Sequence, residues 1–374
     1  MSDASSQHTR RRRLMSVLKR VGAAVVVAAL LAWVLHRAWL DARTIDWETL
    51  QMRPALIWLS VPIVILAWFW QAALWAWMLG ALGYPVHIWT AIRASIVGNL
   101  GNYIPGKIFI IILRGKLVEQ DGVPMVIVAS TVVLETLLRN MMAAILSVVG
   151  LWYLGVGRSY VGALVVLLVA SILVVHPAIF NRLIDFVLRK LHRPPLPRRL
   201  KLKHLVTLLA GFGVYWLLYV ASFYLLTRGT LGAELADLPA LSVALLVSLI
   251  ASVLAVFTPV GLGVADATLT GVLTLTGAVS GAGVLAVIMR VWRTVTEVGI
   301  AGLLLVLPVG PRVDLSDAAN ARKQVALRSI FNMLGPLTNP AAANRQLVGV
   351  FAPELTEMFA KALQRLGTKR ALVV

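Results

Sequence analysis

Arg290, Arg293 and Glu297 stand at i, i+3 and i+7 of one apolar run, so a helix there carries all three on one face. An ionisable group in a membrane-length helix is costly and is a functional candidate by default. Arg293 and Glu297 can neutralise each other, which leaves Arg290 over. A guanidinium presents a planar fork of donors that matches two phosphate oxygens, so Arg290 is the expected contact for a phosphate-bearing ligand. Glu135 and Arg139, at i and i+4, offer a similar pair in another apolar run. Lys107, Arg114 and Lys116 are basic groups in or beside an interrupted apolar segment. Asp266 is expected on the first turn of a helix, where the dipole favours an anion. The plainer reading of the same charges is that they neutralise one another and lock helices together without a ligand.

Two broken segments must position these groups. Residues 257–270 contain Thr258-Pro-Val-Gly-Leu-Gly263 between two apolar runs. Pro259 lacks an amide hydrogen, and Gly261 and Gly263 open backbone conformations closed to other residues, so a helix should break there. In lipid, broken backbone is tolerated only inside protein or along a wet cavity. Residues 84–116 are interrupted in the same way by Asn99, Gly101, Asn102 and Tyr103-Ile-Pro-Gly-Lys107, with Pro105 and Gly106 at the break. Each arm there is short for a crossing, so a hairpin entering and leaving on the cytoplasmic side is expected. The arms of the second pair read as long enough to cross. Each break precedes a span with buried charge, Glu135 in one half and Arg290 in the other. Matching broken segments in two halves are the signature of an inverted repeat around a transporter's binding site.

Composition sets the class. The 374 residues are 59% hydrophobic and 14% charged, with a mean hydropathy of +0.85. Several runs reach the length of a spanning helix, so the chain is an α-helical, polytopic membrane protein. Spans are expected at 21–40, 54–79, 123–154, 160–180, 204–227 and 283–307. With two hairpins this makes six full spans, or eight if both arms of the second pair cross. The absence of cysteine excludes disulfides and thiolate metal sites, and the six scattered His form no metal constellation, so no cofactor or metal is expected. The net charge of +19 sits beside the apolar runs, which points to lipid headgroups rather than nucleic acid. Residues 1–20 form a basic arm, and residues 181–203 a basic loop. Both are expected in the cytoplasm with the C-terminus, in a cell (inner) membrane.

Three segments, Asn102-Tyr-Ile-Pro-Gly106, the span with Glu135, and Thr258-Pro-Val-Gly-Leu-Gly-Val-Ala-Asp-Ala267, resemble the flippase-like membrane domain of lysylphosphatidylglycerol synthases. The likeness covers residues 14–311. Where that family usually has Pro-Gly-Gly-x-Gly and a basic-acidic pair, this chain has Val260 in place of one glycine, Ala265 at the basic position and Asp266 at the acidic one. The soluble aminoacyl-transferring domain of the full-length synthases is absent, so lysine transfer is not expected.

The end of the chain resembles something else. Leu327-Arg-Ser-Ile-Phe-Asn-Met-Leu-Gly-Pro-Leu-Thr-Asn-Pro340, continuing through Arg345 to Val374, is similar to an internal piece of anthranilate phosphoribosyltransferase. By that resemblance Arg328 matches the arginine that contacts anthranilate. The family's Gly-Thr-Gly-Gly-Asp and Lys-His-Gly-Asn segments, and its acidic metal-binding pair, are missing from the chain. A joined gene fragment explains this better than a working fusion.

The expected organisation is therefore a cytoplasmic arm (1–20), a flippase-like membrane domain (21–311) and an incomplete α/β tail (312–374). The expected partner is an anionic phospholipid or lipid-linked headgroup, bound by the hairpin tips with Arg290, Arg293, Glu297, Glu135 and Arg139. The alternatives are a phosphoribosyltransferase fusion in tryptophan biosynthesis, inactive as it stands, and a membrane scaffold without transport.

Overall fold

The computed structural model describes residues 50–103, 108–156, 158–191, 195–255, 263–306, 345–348, 356–365 and 370–373. The expected first span, 21–40, lies outside them. So do Pro105, Gly106, Lys107, Pro259, Gly261 and Arg328. The chain divides into two compact units, Met1–Ala321 and Arg322–Val374.

The first unit is all helix among its described residues. α1 (Pro54–Ala81), α4 (Met125–Leu154) and α7 (Leu202–Leu231) are long and apolar enough to cross a membrane. Residues 235–254, mostly α8 (Leu238–Leu254), reach that length as well. α1 begins on Pro54, where a missing amide costs nothing, and runs through Pro62 without ending. α10 (Ala282–Val306) is about 38 Å long by its 25 residues and carries the three ionisable residues in its middle.

The hairpin expected within 84–116 is present as two short arms, α2 (Ile88–Asn99) and α3 (Ile108–Val118), with a 3-10 turn at Leu100–Tyr103. Each arm rises about 18 Å or less, well short of the roughly 30 Å hydrocarbon layer. The arms touch closely at two glycines. A β-carbon on Gly101 would overlap the backbone of Phe109 and Ile110, and one on Gly98 would meet Arg114 Cγ. In the second pair only α8 is long enough to cross. α9 (Val264–Thr276) rises about 20 Å and stops at Gly277, which takes a left-handed φ of 64°. The sequence leaves crossing and re-entry open for this pair, and the length of the second arm fits six full spans better than eight.

A second correction falls at 160–203. α5 (Arg158–Val175) ends before His176, and α6 (Pro177–Lys190) starts at a 59° bend. Pro177 keeps the preceding residue out of the helical region, and His176 caps the new helix by accepting from the Ala178 amide at 3.3 Å. Half of the expected basic loop is therefore a helix.

α1 and α7 form the most extensive helix pair, and small residues let them close. A β-carbon on Gly211 would meet Leu74, and one on Gly229 would meet Ile57. Ser222 Oγ donates to Ser60 O at 2.5 Å and Trp70 Nε1 to Gly211 O at 2.8 Å. In lipid, where apolar burial does not drive helices together, such packing and polar contacts do.

The second unit shows two parallel strands, β1 (Arg345–Val348) and β2 (Arg370–Val373), with α11 (Thr356–Arg365) between them in sequence. Arg345 pairs with Arg370 and Val348 with Val373. α11 packs on β2.

Candidate functional site

The residues around Glu135 are assembled from four helices. Glu135 is buried in α4 and forms an ion pair with Arg114 Nη1 from the second hairpin arm. Gln71 Nε2 from α1 donates to its other oxygen. Arg114 also reaches Asn99 Oδ1 at 3.4 Å and lies over the Trp75 ring, 5.0 Å from its centroid. Trp75 Nε1 donates in turn to Thr131 Oγ1 at 3.1 Å. The stem of Arg114 fills the space left by Gly98. The i, i+4 spacing suggests Arg139 as the partner of Glu135, but Arg114 takes that place. Arg114 comes from a facing helix, so spacing along α4 alone does not decide the partner of Glu135.

Among the described residues the Arg139 side chain therefore makes no hydrogen bond and no ion pair. It is half-buried on α4 and lines a cavity of about 110 Å³. Arg114, Glu135, Arg293 and Glu297 line the same cavity, together with Tyr215 and Tyr219 of α7 and Asn102 of the hairpin turn. On α10, Glu297 is buried and Arg293 Nε stands 3.8 Å from its Oε2. Tyr103, at the end of the hairpin's 3-10 turn, donates its hydroxyl to the same oxygen at 3.2 Å. The first hairpin thus touches both buried carboxylates, Glu135 through Arg114 and Glu297 through Tyr103.

Arg290 is not left over. Its Nη2 is 2.5 Å from Asp266 Oδ2 and its Nε donates to Oδ1 at 3.3 Å, a bidentate pair. Asp266 sits on the first turn of α9, as expected, and also accepts from the Gly263 amide at 3.0 Å. Gly263 has a φ of 82°, where a side chain would be strained. This pair lines a smaller cavity of about 50 Å³, and Arg293 and Leu249 belong to both cavities.

Of the sequence candidates, Glu135, Arg139, Arg293 and Glu297 come together, and Arg290 with Asp266 forms a neighbouring group. Gln71, Trp75, Tyr103 and Tyr219 were not singled out as site residues. Gln71 leaves a trace in the sequence, as a lone amide in the Trp-rich apolar run of α1. The tyrosines leave none, because an aromatic residue in a membrane helix is usually packing or an interface anchor.

The comparisons with known proteins fall into two parts that overlap at residues 295–302. The family described as the lysylphosphatidylglycerol synthase TM region matches residues 20–302. The glycosyl transferase family a/b domain matches residues 295–374. The anthranilate phosphoribosyltransferase of Syntrophobacter fumaroxidans is 68% identical over 60 residues, 16% of this chain and 18% of that protein. That of Desulfosudis oleivorans is 58% identical over 82 residues, 22% and 23% of the two chains. That of Aquifex aeolicus is 46% identical over 87 residues, 23% and 24%. The chain spans between 18% and 24% of the length of these curated relatives.

Proposed function

The chain belongs to the family of the lysylphosphatidylglycerol synthase TM region, and from that premise we propose that its membrane unit binds and translocates an anionic lipid or lipid-linked headgroup, held at Arg139. The observation that carries this reading is the charge of the main cavity. Three guanidiniums, on Arg114, Arg139 and Arg293, face two carboxylates, on Glu135 and Glu297. Glu135 is consumed by Arg114, and Glu297 is shared by Arg293 and Tyr103. Arg139 is the surplus cation. Arg139 is half-buried and acts on Glu135 and Glu297 only from a distance, so its donors are open to a phosphate that would take two parallel hydrogen bonds. At about 110 Å³ the cavity suits a headgroup phosphate and a few further atoms, with the acyl chains outside.

The test is Arg139→Ala in reconstituted vesicles with fluorescent phosphatidylglycerol. Loss of a charge-assisted contact should weaken binding by roughly 10- to 100-fold. Arg139→Lys should fall between the two, because it keeps the charge and loses the fork. Binding and transport equal to the parent in Arg139→Ala would reject the phosphate role and favour the scaffold reading.

The charge distribution supports a cytoplasmic N-terminus, 181–203 segment and C-terminus. The chain has no cysteine, so Pro195→Cys reports on this directly. An impermeant thiol reagent should leave it unlabelled in intact cells and label it after lysis.

For the tail, partial similarity to a transferase is all that the sequence carries, and we propose that it performs no phosphoribosyl transfer here. The Gly-Thr-Gly-Gly-Asp and Lys-His-Gly-Asn segments, which precede this piece in the transferase family, do not occur in the sequence. Purified protein should form no product from anthranilate and phosphoribosyl diphosphate. Removing residues 314–374 should leave membrane insertion unchanged.

A further inference from the structure

We infer that α6 and the segment 195–203 form a docking platform for anionic lipid on the surface of the protein's own bilayer, separate from the cavity at Arg139. α6 has three faces. Phe180, Ile184 and Leu188 are buried against the protein. Ile179, Leu183 and Phe186, at i, i+4 and i+7, are 45%, 53% and 56% exposed. Beside that apolar stripe, Arg182, Arg189 and Lys190 are also exposed.

The basic segment that follows is pinned to the helix. Asn181 Nδ2 donates to Leu200 O at 2.9 Å, and its Oδ1 accepts from the Leu200 amide at 3.1 Å. Leu196 and Leu200 are buried, while Arg198, Arg199, Lys201 and Lys203 stay exposed. Asp185, the one acid of α6, is engaged by Arg199 at 3.5 Å. The result is a fixed array of cations next to an exposed apolar stripe.

Few environments suit such a surface. Water leaves the stripe of Ile179, Leu183 and Phe186 unburied. The hydrocarbon layer excludes a 14-residue helix that carries Arg182, Asp185, Arg189 and Lys190. The headgroup layer takes both, with apolar side chains at the acyl boundary and cations among phosphates. The 59° bend at His176 turns α6 away from the direction of α5, as a helix lying in that layer requires. The excess of positive charge selects an anionic leaflet.

The test uses the full chain, whose freedom from cysteine allows single labels. A fluorophore on Leu183→Cys is read in vesicles containing brominated phosphatidylglycerol or brominated phosphatidylcholine, and Trp152→Cys at the end of α4 serves as the control. Quenching at 183 should favour phosphatidylglycerol, and quenching at 152 should not distinguish the two lipids. Each neutralisation among Arg182→Gln, Arg189→Gln and Lys190→Gln should reduce the preference by about fivefold or less. All three are exposed, so an unchanged unfolding temperature is expected and separates lost recognition from lost folding. Equal quenching by both lipids would overturn the proposal in favour of apolar anchoring alone. Strong quenching by aqueous iodide would place the stripe in water, and protection from both lipid and iodide would mean that a protein covers it. Either result overturns the proposal.

Discussion

The two hairpins make the same contact with opposite polarity. In the first half, the second hairpin arm supplies the cation, Arg114, and the following helix supplies the carboxylate, Glu135. In the second half, the second arm supplies the carboxylate, Asp266, and the following helix supplies the cation, Arg290. The partners are 21 residues apart in one case and 24 in the other. Their surroundings differ more. The Arg114 and Glu135 side chains are 2% and 3% exposed and are tied further by Gln71, Asn99 and Trp75. The Asp266 and Arg290 side chains are about a fifth exposed. A buried pair with satisfied oxygens fixes a geometry, because separating it strands charge in a low dielectric. A partly wet pair can open at small cost. The first pair is therefore expected to be the costlier of the two to separate.

The largest expected effect falls on the buried pair. Arg114→Ala strands Glu135 and should cost about 3–5 kcal/mol, measured by thermal or denaturant unfolding in detergent. Arg114→Leu with Glu135→Leu should recover much of that loss, since an apolar replacement of a buried pair is often neutral. Asp266→Asn should cost about 1 kcal/mol or less, and its effect should shrink in high salt. The exchange of Asp266→Arg with Arg290→Asp should be better tolerated than either single change, because the first half already uses that polarity. Equal losses for Arg114→Ala and Asp266→Asn would erase the distinction between the two pairs. The smallest stability effect belongs to Arg139→Ala, within about 0.5 kcal/mol, because the half-buried side chain gives up no hydrogen bond and no ion pair. A large destabilisation there would make Arg139 a structural group.

The sequence determined the membrane class, the all-helical unit, the two interruptions and the set of charged residues. These follow from local facts: run length, Pro and Gly chemistry, and the cost of charge in lipid. The Arg293–Glu297 pair was equally legible, because both partners lie on one helix and spacing alone brings them together. The same rule misled at Glu135, where Arg139 is a helix neighbour but Arg114 faces the carboxylate from another element. It misled at Arg290 too, since Asp266 lies 24 residues away on α9, across the turn at 277–281. Only the tertiary structure decided these partners, and with them which cation is surplus. Periodicity along one helix gives the direction of a side chain but not what stands opposite it. That depends on how closely neighbouring helices approach, here set by Gly98 and Gly101 where the hairpin arms meet.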